Sequence, residues 1–123
     1  MGIALWVVQV LLAAAFLVSG ATKLSQPKEK LAKNMAWVED FSQPAVRLIG
    51  AVEVLGAIGV VLPALTGILS WLTPLAALGL GATMAGAVLT HLRRGERSAV
   101  VPPLVLLVLA AFVIYGRFFI LPA

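Results

Sequence analysis

Four apolar blocks, each close to the roughly 20 residues that carry a helix across a bilayer, leave this chain very few ways to fold. A helix rises about 1.5 Å per residue, so a block of that length spans the ~30 Å hydrocarbon core. Lipid offers no water to backbone N–H and C=O groups, and a helix satisfies them within the segment. The blocks cover residues 3–22, 44–62, 74–91 and 102–120. They predict an all-α membrane protein, a four-transmembrane-helix bundle, with residues 1–123 forming one domain. Composition agrees, since 62% of the chain is hydrophobic and 11% charged, against about 45–50% and 25% in soluble domains.

Punctuation between the blocks sets their ends. Ser42 is placed to cap the second helix with Pro44 in its first turn, and that helix is expected to stop at Leu62-Pro63. Thr73-Pro74 reads as a cap and first-turn proline for the third, and Pro102-Pro103 are tolerated only at the start of the fourth. The first block lacks a basic leader and reads as a retained span, not a cleaved signal.

Cations cluster between the blocks. Lys23, Lys28, Lys30 and Lys33 lie between the first two, and Arg93, Arg94 and Arg97 between the last two. Short basic loops stay cytoplasmic, so both termini are expected outside a bacterial-type cytoplasmic membrane, with these residues on the inner surface. Trp6, Trp71 and Tyr115 then fall at the outer headgroup level, where amphipathic rings concentrate. Arg117 is an outer-side cation that could snorkel from the last turn. Within residues 25–41, Leu31, Met35 and Val38 recur at helical spacing among lysines, which points to a short amphipathic interfacial helix; an ordered loop is the alternative.

Glu53 stands in the middle of the second block, where an acid costs roughly 2.5–3.5 kcal/mol on insertion scales and is retained for a partner, cavity or ligand. Counting helical rise from Pro44 puts it about 13 Å deep, in a layer with Thr83, Met84, Ala14, Ala15, Ala110 and Ala111. The glycines of the second and third blocks permit either close helix packing or room for a ligand head. Two stripes at four-residue steps, Thr83, Ala87, His91 and Ala15, Ser19, Lys23, are candidates to face inward. Together with Thr90 they would line a polar path from Glu53 to the basic loops. Such a path suits proton exchange between a histidine and a carboxylate, or the binding of a lipid or quinone head group. The alternative for Lys23 and His91 is simple helix termination, favoured by the C-terminal dipole and the lipid surface.

Other chemistries lack their residues. With no cysteine there is no thiol chemistry, and one histidine with scattered acids makes no metal site. The net charge of +4 sits in juxtamembrane stretches, which argues against nucleic acid. Phosphate-binding glycine loops and nucleophile elbows are absent from the sequence.

Three segments in order resemble the DoxX-like family of small four-span membrane proteins: Phe16 to Leu24 (FLVSGATKL), Ala51 to Gly59 (AVEVLGAIG) and Thr90 to Glu96 (THLRRGE). The resemblance implies a four-helix bundle with polar positions at Lys23, Glu53 and His91. It also implies a functionally mixed family, with quinone-linked subunits of sulfur-oxidising systems, maturation factors for amine-oxidising enzymes and receptor-assembly relatives. The expectation is an accessory membrane protein, too sparsely equipped for autonomous catalysis. It would bind a quinone or lipid beside Glu53 and act with a membrane-protein partner or as a homo-oligomer, for instance as a subunit of a quinone-linked oxidoreductase. An assembly factor without ligand is the second reading, and a small-solute or proton carrier the third.

Overall fold

A computed structural model describes residues 2–32, 35, 37, 38 and 41–120, apart from the Lys28 side chain. The helices are α1 (Gly2–Ser25), α2 (Lys28–Leu31), α3 (Gln43–Gly59), α4 (Leu62–Thr66), α5 (Leu72–Arg93) and α6 (Val101–Tyr115). A 3₁₀ turn, Ser98–Val100, leads into α6, and a π turn, Gly116–Ile120, extends it. Four stretches are long and apolar enough to cross a membrane: Gly2–Ser25, Gln43–Thr66, Leu72–Arg93 and Ser98–Ile120. The chain is an integral membrane protein whose surroundings are lipid.

Each boundary has a local cause. The Ser42 hydroxyl accepts a hydrogen bond from Ala45 N at 3.2 Å, capping α3 as its sequence predicts. The second span does not run unbroken to Leu62. It turns at Val60 and Val61, then restarts as α4 with Pro63 in the first turn. Thr73 is not a cap either: α5 begins one residue earlier, and Thr73 lies inside it, fully buried. Among the described residues the amphipathic segment is α-helical over Lys28–Leu31 and takes up a 3₁₀ turn at Trp37 and Val38. Its apolar stripe nevertheless folds inward, with Leu31 and Val38 buried against Val46 rather than spread on lipid.

The helices form a ring in which α1 packs on α3, α3 on α5, α5 on α6 and α6 on α1. Lipid tails are as apolar as leucine, so association in a membrane depends on close packing and not on escape from water. The core joins Leu12 and Phe16 of α1, Ala57 of α3, Ala77, Leu80 and Met84 of α5, and Ala110 and Val113 of α6.

Small residues decide where the helices touch. A Cβ on Gly20 would lie 2.6 Å from Gly50 O, and one on Gly50 would lie 2.8 Å from Gly20 O, so α1 and α3 meet backbone to backbone at the basic end. Toward the other end α3 leans on α5 instead, Gly56 against Leu80 and Gly59 against Ala76. Close packing therefore accounts for Gly50, Gly56 and Gly59. Gly79 and Gly86 meet nothing. Gly20→Ala is expected to destabilise the protein by about 1–3 kcal/mol, because a backbone oxygen cannot move aside as a side chain can. Thermal unfolding in detergent checks this, with Gly79→Ala, at an open position, as the neutral control.

Candidate functional site

Because α3 rests on α1 at the basic end and on α5 at the other, a gap opens between α3 and α5 at the level of Glu53. It holds a cavity of about 520 Å³. Ile49 and Glu53 line it from α3; Thr83, Met84, Gly86, Ala87, Thr90 and His91 from α5; Pro102, Pro103 and Leu106 from α6. Lys23 reaches it from α1, and Met35, Trp37 and Phe41 close it from the connecting segment.

Glu53 is 1% exposed, and its partner is Lys23, which is 6% exposed. Lys23 Nζ donates to Glu53 Oε1 at 2.6 Å and to Ser19 Oγ at 2.8 Å. The Ser19 hydroxyl lies 3.2 Å and 3.4 Å from the two carboxylate oxygens. One turn of α1 thus presents Ser19 and Lys23 to the same acid. The Trp37 ring sits 5.4 Å from Lys23 Nζ, in cation–π range, and packs edge-on against Phe41 at 5.5 Å. Lys23 does not snorkel to the headgroups, as a terminal lysine ordinarily would; the Gly20–Gly50 contact brings it to Glu53.

The expected residues separate into groups. Glu53, Lys23, Thr83, Thr90 and His91 line one cavity, whereas Ser19 sits behind it, bonded to the ion pair. His91 does not pair with Glu53. Its Nδ1 lies 2.8 Å from Glu96 Oε1, and Arg94 Nε donates to Glu96 Oε2 at 3.2 Å. The Thr83 and Thr90 hydroxyls donate to their own helix, to Gly79 O and Gly86 O, both at 2.9 Å. Of the layer around Glu53, Thr83 and Met84 share its cavity and Ala110 is buried in the core, but Ala14, Ala15 and Ala111 are exposed toward lipid. The inner stripe of α1 runs through Leu12, Phe16, Gly20 and Lys23, a rotation that the even spacing of small residues concealed.

Of the surface cations, Lys30, Arg93 and Arg97 are exposed, and Arg94 is tied to Glu96. Lys33 and the Lys28 side chain lie outside the described residues. Arg47, exposed on the first turns of α3, adds a further cation at this end.

Hydrogen bonding to His91 is the leading cause that holds the Glu96 carboxyl below its ordinary value of 4.5, with Arg94 adding to it against a smaller opposing effect of burial. A depressed carboxylate pKa stabilises the folded loop above the unfolded value, and that contribution disappears as pH falls through the folded one. Carboxyl NMR is expected to show Glu96 titrating below 4.5, and to show it moving back up in His91→Phe.

A second buried polar cluster lies at the other end. Arg117, 6% exposed, donates through Nε to Gln9 Oε1 at 2.8 Å, and Gln9 Nε2 donates to Val60 O at 2.6 Å. Arg117 also sits 5.3 Å from the Trp6 ring. It is therefore a core residue, not a snorkelling one. Gln9 was not among the residues expected at a site, although the sequence marks it as the one strongly polar residue between Gly2 and Val18. Leu12 and Phe16 on α1 and Ala57 on α3, all buried, separate this cluster from the Lys23–Glu53 pair.

A family model described as the DoxX-like family matches residues 7–113. No curated protein and no solved structure matches the chain.

Proposed function

We propose that this chain, which belongs to the DoxX-like family, is an accessory membrane protein that holds the head of a membrane-dissolved amphiphile, a quinone or a lipid, in the cavity beside Glu53. One observation carries the reading: an apolar cavity of about 520 Å³ has a buried, hydrogen-bonded ion pair in its wall. Ligand sites combine apolar walls with a few placed polar groups, and 520 Å³ lies within their usual range of about 300–1,000 Å³. The lining fits a ring or acyl chain against Phe41, Met84 and Leu106, with Lys23 and His91 available to its polar atoms. A quinone, when bound, would supply the redox chemistry that these side chains lack, and a partner subunit would use it. The basic end is assigned to the cytoplasm, by the position of Lys30, Arg93 and Arg97.

The apolar layer of Leu12, Phe16 and Ala57 supports a site open to one half of the membrane over a carrier, since no polar groups bridge the two clusters on α1 or α3. A second reading has specific support. Lys23–Glu53 lies beside the Gly20–Gly50 contact, where an ion pair could set helix register alone, as in an assembly factor.

Mass spectrometry of protein purified in mild detergent tests the ligand. The parent chain is expected to retain an amphiphile, and Thr83→Phe, which fills the cavity while giving up only a bond within its own helix, is expected to lose it. Equal retention by both chains, or none by the parent, would count against a site here.

A further inference from the structure

The cavity wall is rich in paired charge and poor in free charge, and that selects what can enter. Lys23 is neutralised by Glu53, and His91 and Arg94 converge on Glu96. The exposed cations Lys30, Arg47, Arg93 and Arg97 are not part of the wall. An anionic head placed here would meet the Glu53 carboxylate with no uncommitted cation among the described lining residues, and a buried unpaired charge is costly.

Hydrogen-bonding capacity does remain. An ammonium group has three donors; Ser19 and Glu53 take two, which leaves one beside the cavity. His91 directs Nδ1 at the Glu96 carboxylate, so in the neutral ring the proton sits on Nδ1 and Nε2 is an acceptor. The Thr83 and Thr90 hydroxyls spend their protons on Gly79 O and Gly86 O, and offer only lone pairs. One donor and several acceptors match a head group that both accepts and donates, as a hydroxyl does.

The way in is also visible. Where Gly56 and Gly59 touch α5, the two helices are closed; from Glu53 toward the basic end they part. Gly86, on the α5 side of that gap, is exposed, lines the cavity and has open space where a Cβ would go.

We propose that the cavity admits, sideways from the leaflet at the basic end through the α3–α5 gap, an amphiphile with an uncharged, hydroxyl-bearing head. This rests on the ligand reading above and narrows it to a head-group class and a route. Anionic phospholipid is thereby excluded as the occupant.

Trp37 supplies the readout, because it lines the cavity and bromine quenches indole fluorescence on contact. In a Trp6→Phe, Trp71→Phe chain in phosphatidylcholine vesicles, Trp37 is titrated with ω-bromo-undecanol and with ω-bromo-undecanoate at pH 8. These probes share a tail and differ in head charge. The alcohol is expected to quench saturably, and the carboxylate to need about tenfold more or higher, the equivalent of ~1.4 kcal/mol. Gly86→Phe is expected to abolish the saturable component. Equal or tighter quenching by the carboxylate would overturn the head-group assignment, and saturable quenching that survives Gly86→Phe would overturn the route. The head-group comparison is made without the Gly86 variant and does not depend on how it folds. Absence of saturable quenching by either probe, together with no retained amphiphile on mass spectrometry, would instead remove the ligand reading itself.

Discussion

Lys23→Met is expected to lower stability by about 3–5 kcal/mol, because it removes one partner of a buried ion pair and strands the other. The stranded group is Glu53, in the interior of α3 and 1% exposed, with the Ser19 hydroxyl as its remaining side-chain partner among the described residues. Glu53→Leu strands Lys23 instead. That residue is in the last turn of α1, from which a long flexible side chain can swing to the headgroups, so the loss is expected near the lower end of that range, about 3 kcal/mol. The double variant Lys23→Met, Glu53→Leu leaves no charge behind and is expected to recover most of the stability, since apolar replacement of a whole buried pair is often neutral or better. Thermal unfolding of the four chains in one detergent measures the coupling. Losses that simply add in the double variant would show that the two groups do not depend on each other.

The same four chains separate the two functional readings. If the pair serves a ligand, the double variant recovers most of the parent's stability and yet retains no amphiphile. If it serves only register, the double variant keeps whatever the parent chain holds or recruits. Stability and ligand retention answer different questions, and the ion pair is the one place where both can be asked with the fold intact.

Apolar block length and proline position made the four spans legible in the sequence, because the bilayer leaves the backbone no alternative to helix. Glu53 was legible for a related reason: an acid in such a block needs an explanation. Its partner was not. Choosing between Lys23 at the ion pair and Lys23 at the headgroups depends on how α1 is rotated, and Ala14, Ala15 and Gly20 are all small enough to face a neighbouring helix. Only Gly20 does so, backbone to backbone with Gly50. His91 illustrates a second limit. It lies on the expected cavity, but Glu96, five residues along and beyond the helix end, reaches it first. Helical counting cannot anticipate a bond made by a loop folding back. The break at Val60 was hidden as well, since Pro63 marks the restart of the helix and not the residues whose carbonyls are released.

Those carbonyls make Gln9→Leu the other large effect, an expected loss of about 2–4 kcal/mol, because Val60 O loses its donor and Arg117 loses one acceptor. In an unbroken helix the carbonyl of residue i accepts from the N–H of residue i+4. Pro63 has no N–H to offer Gly59, and the turn at Val60 and Val61 interrupts the pattern further. Within a bilayer such carbonyls must be met by protein. Gln9, on another helix, does this for Val60 O with its amide nitrogen while its amide oxygen accepts from Arg117. A primary amide suits the position because it carries a donor and an acceptor on one planar group. Gln9→Glu keeps the acceptor for Arg117 and gives up the donor to Val60 O, so it is expected to cost less than Gln9→Leu. Unfolding in detergent should rank the three chains with the parent first, Gln9→Glu second and Gln9→Leu last. Near-parent stability of Gln9→Leu would mean that the break in the second span is satisfied in some other way. A Val61→Ala control, which leaves both Gln9 bonds in place, tests whether the effect belongs to the amide or to any change in packing near the break.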